Sequence, residues 1–138
     1  MRHKFSIDAL AARQFGVVTR AQLLEMGWSP SRIARDRRAL RLHPVYAGVY
    51  AVGHRAITDR GRWLAAKVAC DGVLSYQSAG ALSELPISDN GLTRVTAATA
   101  RRRARIDVHR ADRQARDRTT RHGIPVTTIA RTLVIEGV

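Results

Sequence analysis

The sequence feature that most constrains the fold is a pair of short helix signals separated by a tight turn. Thr19 is a good N-cap for a helix over residues 20–26, after which Gly27-Trp28 turns the chain. Ser29-Pro30 comes next, an N-cap with proline at the first helical position, which predicts a further helix from Pro30 to about Leu40. Two helices joined by a short glycine-containing turn are typical of a helix-turn-helix.

The flanking segments predict a winged form of this motif. An amphipathic helix is expected over residues 7–15, ending at Gly16. Residues 42–53 are rich in β-branched and aromatic residues and predict a β-hairpin, to which Val17-Val18 could add a third strand. We therefore expect residues 1–54 to form a winged helix-turn-helix domain.

Residues 55–138 are expected to form a second, small α/β domain, so that the chain as a whole belongs to the α+β class. A final helix is predicted to begin at Ile129 and has no C-terminal cap before Val138. We therefore expect the natural chain to continue and this domain to be truncated. The other predicted elements are helices over residues 59–70 and 76–85 and strands over residues 92–98, 106–110 and 124–128.

The charge of the chain indicates a polyanionic partner. Its formal net charge is +13, and 22 of its 24 basic residues are arginines. A strongly cationic surface attracts nucleic acid, and arginine suits phosphate and guanine, although arginine richness also follows from a GC-rich genome. Residues 1–54 carry a net charge of +6 and residues 101–138 another +6, on either side of a nearly neutral middle. The cationic surfaces are thus expected at two separate places.

The third helix holds the leading candidates for DNA contact. Near its N-terminus, Ser31, Arg32 and Arg35 are expected to face the major groove, where arginine can hold O6 and N7 of guanine. Arg38 and Arg41 are expected nearer the backbone, at phosphates. The residues opening the second helix could reach phosphate through side chain and backbone N–H, and the wing could add further contacts. The alternative interpretation is a solvated helix face. Helical spacing places Ile33, Arg37 and Leu40 together on another face of this helix, which is expected to be its apolar face. The candidate DNA-binding residues are Thr19, Arg20, Ser29, Ser31, Arg32, Arg35, Arg38, Arg41, His43 and Tyr46.

No pattern of residues predicts catalysis, a metal or a cofactor. The histidines never pair at metal-ligand spacing with cysteine or carboxylate, and the acidic residues present no acid–base pair. Cys70 is the only cysteine, so no internal disulfide is possible. Because the sequence has no membrane-length apolar stretch and no signal peptide, we expect a cytoplasmic protein. We also expect it to be non-enzymatic, and to be a monomer or a weak dimer. The run of basic residues from Arg101 to Arg105 fits an exposed loop and a second nucleic-acid contact equally well.

Four segments together resemble the AbiEi-type antitoxins of type IV toxin–antitoxin systems. They are Gly16–Gly27 with Ser29–Ile33, the predicted wing Arg41–His54, Leu74–Leu82, and Gly123–Leu133. The resemblance implies a winged helix that represses its own promoter at inverted repeats, and a downstream domain that opposes a nucleotidyltransferase-like toxin. This chain departs from the family at Leu40, where relatives often have glycine, and it ends where relatives continue.

Two other functions are compatible with the sequence. In many relatives the extension resembles a very-short-patch-repair-type endonuclease, so the chain could be the DNA-targeting part of such an enzyme, with its catalytic domain absent. It could also be a protein-interaction module whose basic surfaces only keep it in solution.

Overall fold

The computed structural model describes residues 6–98, 105–110 and 118–127, and it confirms an α+β fold. The chain divides into two compact units, Met1–Ala65 and Ala66–Val138. The sequence placed the division after residue 54. The structure places it later because Ile57, Leu64 and Ala65 pack against the sheet of the N-terminal unit.

The N-terminal unit contains three helices, a three-stranded antiparallel sheet and the first half of a fourth helix. The predicted hairpin is present as two paired strands, and the predicted third strand pairs with it, giving the order β1-β3-β2. In chain order the elements are α1 (Ile7–Arg13), β1 (Val17–Thr19), α2 (Arg20–Glu25), α3 (Pro30–Arg38), β2 (Leu42–Tyr46), β3 (Val49–Val52) and α4 (Asp59–Cys70).

The sheet of the N-terminal unit is covered on both faces. Because side chains alternate along a strand, Val18 and Tyr50 point into one cluster while Val17 and Val49 belong to another. The first cluster unites the sheet with the three helices through Ala11, Leu23, Trp28, Ile33 and Leu42. This packing fixes α3 against the sheet through Ile33, which is 1% exposed.

The apolar face expected on α3 is only partly correct. Ile33 is buried as predicted, but Arg37 and Leu40 are exposed, and the second buried position is Asp36. The helix also ends at Arg38, because Leu40 adopts a left-handed backbone conformation with φ 62°. A Schellman motif closes the helix: the N–H of Arg41 donates to the carbonyl of Asp36, and the N–H of Leu40 donates to that of Arg37.

Leu40→Gly is expected to stabilise the N-terminal unit by about 0.5–1 kcal/mol. A left-handed residue with a Cβ costs about 1–2 kcal/mol, which exceeds the unfolded-state entropy that glycine adds. Little burial is lost, since Leu40 is 63% exposed. Urea denaturation would measure the gain, and Leu40→Ala, which keeps the Cβ, is the matched control. Equal midpoints for the two variants would contradict the strain argument.

Helix α1 ends earlier than the sequence predicted. Its last residue is Arg13, and Phe15 takes the left-handed position with φ 58°, one residue before the predicted terminator Gly16. The N–H of Gly16 then donates to the carbonyl of Ala11, which closes the helix end.

The described part of the C-terminal unit is a five-stranded mixed sheet with α5 packed on it. The strand order is β6-β5-β4-β8-β7, with β4 parallel to β8 and β5 parallel to β6. The core is apolar at Leu74, Val95 and Val126, each fully buried. The elements are β4 (Val73–Leu74), α5 (Tyr76–Leu82), β5 (Thr93–Ala97), β6 (Ile106–Arg110), β7 (Arg118–Arg121) and β8 (Ile124–Thr127).

Sequence reasoning found most of these elements but missed two strands. The strand β4 has only two residues, and β7 is polar, so neither shows the alternation that predicts a strand. The helix predicted over residues 76–85 ends earlier, at Leu82. Glu84, two residues later, has a left-handed backbone conformation and precedes Pro86 by two positions. The helix predicted from Ile129 lies outside the described residues.

Candidate nucleic-acid interface

The start of α3 is built as the sequence predicted. The Ser29 hydroxyl accepts a hydrogen bond from the N–H of Arg32 at 3.1 Å, and Pro30 occupies the first turn. Gly27, with φ 95°, makes the turn from α2, and the N–H of Trp28 donates to the carbonyl of Leu23. Ser29 is therefore a helix cap, and its side chain is exposed at the N-terminal end of the candidate surface.

Three exposed residues of α3 form its outward stripe. Ser31, Arg35 and Arg38 are separated by four and three positions, so they lie on one helix face, opposite the buried Ile33. Within the part of the chain that the structure describes, neither arginine forms an ion pair or side-chain hydrogen bond. The stripe consequently offers two unneutralised guanidinium groups to solvent.

Arg32 lies on one flank of this stripe rather than at its centre. Its guanidinium stacks on the ring of Trp28, 3.7 Å from the ring centroid, and Trp28 is itself buried. Such a cation–π contact holds the side chain in place. The N–H groups lie in the plane of the guanidinium and point away from its centre, so they stay available to a partner. Arg32 is thus an oriented cation beside the stripe, separate from Arg35 and Arg38.

Arg41 is neutralised within the protein. Its guanidinium donates to Asp36 Oδ1 at 2.8 Å, and the Asp36 side chain is 11% exposed. The hydrogen bond from Arg41 lowers the pKa of Asp36, an effect that outweighs the opposing contribution of burial and is reinforced by the charges of Arg32 and Arg35. Arg41 is therefore the weakest of the sequence-predicted cations as a partner for an external anion.

The Asp36–Arg41 pair predicts a loss of stability in acid. Because the pKa of Asp36 lies below its ordinary value of 3.8, the stabilisation is present above that pH and is lost as the pH falls through the lowered pKa. Asp36→Asn should lower the urea midpoint at neutral pH, with the difference from wild type shrinking below about pH 4.

The matched control for this prediction is Asp59→Asn. Asp59 also accepts from an arginine, Arg62 at 3.0 Å, but its side chain is 74% exposed, so solvent screens the pair. A pH-independent difference between Asp36→Asn and wild type would refute the ion-pair account.

The residues that open α2 are engaged inside the protein. The Thr19 hydroxyl accepts from the N–H of Gln22, and the N–H of Thr19 donates to the Gln22 side chain, which is a capping box. The N–H of Arg20 donates to the carbonyl of Gly48 at the hairpin tip. Both backbone N–H groups are therefore used within the protein, so only the Arg20 side chain and the O–H of Thr19 remain for a phosphate contact.

The two wing candidates have different surroundings. Tyr46 is half-buried and packs with Val45 against the cluster formed by Val17, Val49 and Ala65. His43, on β2, borders a cleft beside α3 that is also lined by Arg37, Arg38 and Arg55. His43 thus lies near the candidate arginines, whereas the Tyr46 side chain packs against the core.

Sequence reasoning missed Arg37 and Arg55 as members of this surface. Spacing placed Arg37 on the same face of α3 as Ile33, and Arg55 was assigned to the second domain. Both are exposed, and the structure places both at the cleft with Arg38 and His43. Only the net positive charge of the first 55 residues could have pointed to them.

The C-terminal unit contains a polar network beneath α5. The ring of Tyr76 stacks on His109 with centroids 4.1 Å apart, and His109 and Arg94 both approach Asp107, at 3.1 and 3.5 Å. Ser78 donates to the buried Asp89 at 2.6 Å, which joins α5 to the following loop. These groups are paired with one another, and Ser78 and Asp89 are the buried members of the network.

Of the run Arg101–Arg105, only Arg105 belongs to the described residues, and it is exposed. Every helix in the described ranges is too short or too polar to cross a membrane. Across the same ranges, no three His, Cys, Asp or Glu side chains are grouped so that they could hold a metal ion. Comparison of the sequence with models of protein families and with curated proteins gives no match.

Proposed function

We propose that the N-terminal unit is a winged helix-turn-helix that binds duplex DNA, with α3 in the major groove. The observation that carries the proposal is the outward stripe of Ser31, Arg35 and Arg38, whose arginines form no ion pair or side-chain hydrogen bond among the described residues. Arginine can donate two parallel hydrogen bonds to guanine, and serine can donate to either a base or a phosphate.

The surroundings of the stripe support this function. α3 is held rigidly by Ile33 on the opposite side and begins at a well-formed cap, so its exposed face is preorganised. A two-stranded hairpin follows the helix directly, and the turn from α2 is short, as in helix-turn-helix proteins that place their second helix in the groove. A net charge of +13 favours association with a polyanion.

A mobility-shift experiment tests the proposal. Duplexes selected from a random-sequence pool by the purified chain would be titrated at several salt concentrations. If about four arginines meet phosphates, the log–log slope of the association constant against salt should be near −3.6 per protomer. Selection of no sequence, or binding that does not weaken with salt, would overturn the proposal.

We further propose that the regulator is an autorepressing antitoxin, linked to a nucleotidyltransferase-like toxin. The support is the resemblance carried by Gly16–Gly27, the hairpin and the two downstream segments. Co-expression tests this finer role: the chain should relieve growth arrest by the toxin encoded beside it. Repression of its own promoter without any relief would leave a DNA-binding regulator and remove the antitoxin role.

A further inference from the structure

A cleft lies between α3 and β2, and we call it the α3–β2 cleft. Its volume is about 550 Å³, and all of its lining residues belong to the N-terminal unit. One set of lining side chains is cationic or basic, namely Arg37, Arg38, Arg55 and His43, and apolar walls include Leu42 and Pro44. No lining residue is acidic.

The three arginines of the cleft have no neutralising partner in the described part of the chain. The ion pairs found there engage Arg41, Arg62, Arg94 and His109, and none engages Arg37, Arg38 or Arg55. Like charges gathered around one cavity repel one another unless an anion enters it. The cleft therefore offers binding to a group with negative charge.

The position of the cleft identifies where that charge would come from. Arg38 belongs both to the outward stripe of α3 and to the cleft, while Arg37 faces the cleft from the helix flank. One sugar–phosphate strand separates the major groove from the minor groove on each side. A helix seated in the major groove therefore brings such a strand to its flank, beside β2.

We propose that the α3–β2 cleft seats the sugar–phosphate backbone of the bound duplex, with Arg37 and Arg55 as phosphate contacts. The inference rests on the DNA-binding function proposed above and adds two residues to it. Arg38 and His43 contact the same strand, and the exposed apolar side chains of Leu40 and Pro44, which also line the cleft, pack against deoxyribose. These contacts carry no sequence information and instead set the register of α3 in the groove.

The test compares the double variant Arg37→Gln/Arg55→Gln with wild type on a selected duplex and on a random duplex. Each lost phosphate contact should reduce the salt slope by about 0.9, so the double variant should lose about 1.8. At 0.1 M salt this corresponds to a loss of affinity of roughly tenfold per contact, equal for both duplexes. Arg37→Lys/Arg55→Lys should restore most of the slope, because lysine keeps the charge.

Arg60→Gln is the charge-matched control for each single variant, since Arg60 is exposed on α4 and does not line the cleft. Both replaced cleft arginines are exposed, so their substitution leaves the core intact. If the double variant does not fold, the single variants test the same point, because each should reduce the salt slope by about 0.9. Sequence-selective wild-type binding with unchanged slopes in the cleft variants would overturn this inference alone, whereas no wild-type binding would overturn the proposed function.

Inorganic phosphate distinguishes backbone phosphate from a free phosphate ligand. Wild-type protein would be titrated with phosphate, with ionic strength held constant by chloride, and followed by NMR. Weak, unsaturated shifts together with slope changes on DNA support the backbone assignment. Saturable phosphate binding that Arg37→Gln/Arg55→Gln abolishes, without any effect of these changes on DNA affinity, would overturn it.

Discussion

Under the proposed function, replacing Arg35 and Arg38 together by alanine is expected to remove most of the sequence-selective affinity for DNA. Both side chains project from the outward face of α3 and form no ion pair or side-chain hydrogen bond among the described residues, so their truncation leaves no buried group unsatisfied. An arginine that reads a base contributes about 1–3 kcal/mol, or roughly a 5- to 150-fold change in affinity. Loss of an arginine that contacts phosphate weakens binding to all duplexes alike.

Single variants separate these two roles. Arg35→Ala should relax selectivity at one base pair, whereas Arg38→Ala should weaken selected and random duplexes by the same factor and reduce the salt slope by about 0.9. Arg35→Lys is the informative control, because it keeps the charge and loses the paired donors. Equal selectivity of Arg35→Lys and wild type would exclude base reading by Arg35.

Ile33→Ala is expected to destabilise the N-terminal unit by about 2–5 kcal/mol. Ile33 is 1% exposed and anchors α3 to the cluster that contains Leu23, Trp28 and Leu42. Truncation of a buried isoleucine removes burial and leaves a cavity, and a cost of this size is a large fraction of the stability of a small domain. The proposed DNA-binding surface should therefore be lost with the fold of the unit.

The measurement is urea denaturation followed by tryptophan fluorescence, with DNA binding assayed in parallel at low temperature. Leu24→Ala is the matched control, since it removes a side chain of the same size from α2 at a position that is 42% exposed. Its cost should stay below about 1 kcal/mol. Comparable losses for Leu24→Ala and Ile33→Ala would contradict the packing described for α3.

The local signals in the sequence predicted the starts of helices well. Thr19 and Ser29 cap α2 and α3 as expected, because an N-cap depends on one side chain and the next turn of backbone. The hairpin over β2 and β3 and its pairing with Val17-Val18 were also predicted, since short apolar β-branched runs have few other ways to pair. The order of helices and strands in this unit thus follows from short-range patterns.

The composition of the candidate site could be predicted only in part. Ser31, Arg35 and Arg38 are found by helical spacing, because residues three and four apart share a face. The stacking of Arg32 on Trp28 and the pairing of Arg41 with Asp36 depend on side-chain conformations that sequence spacing does not specify. They change which arginines are available to an external anion.

The sequence by itself determined where the helices of the N-terminal unit begin, that a hairpin follows α3, and that its surface is cationic. Those properties depend on caps, periodicity and net charge, which act over a few residues or over the whole chain. Only the tertiary structure decided that the left-handed residues Phe15 and Leu40 terminate α1 and α3. It also decided that Arg55 and Arg37 line the same cleft. These outcomes depend on how the helices pack on the sheet, because packing brings together residues that no local pattern connects.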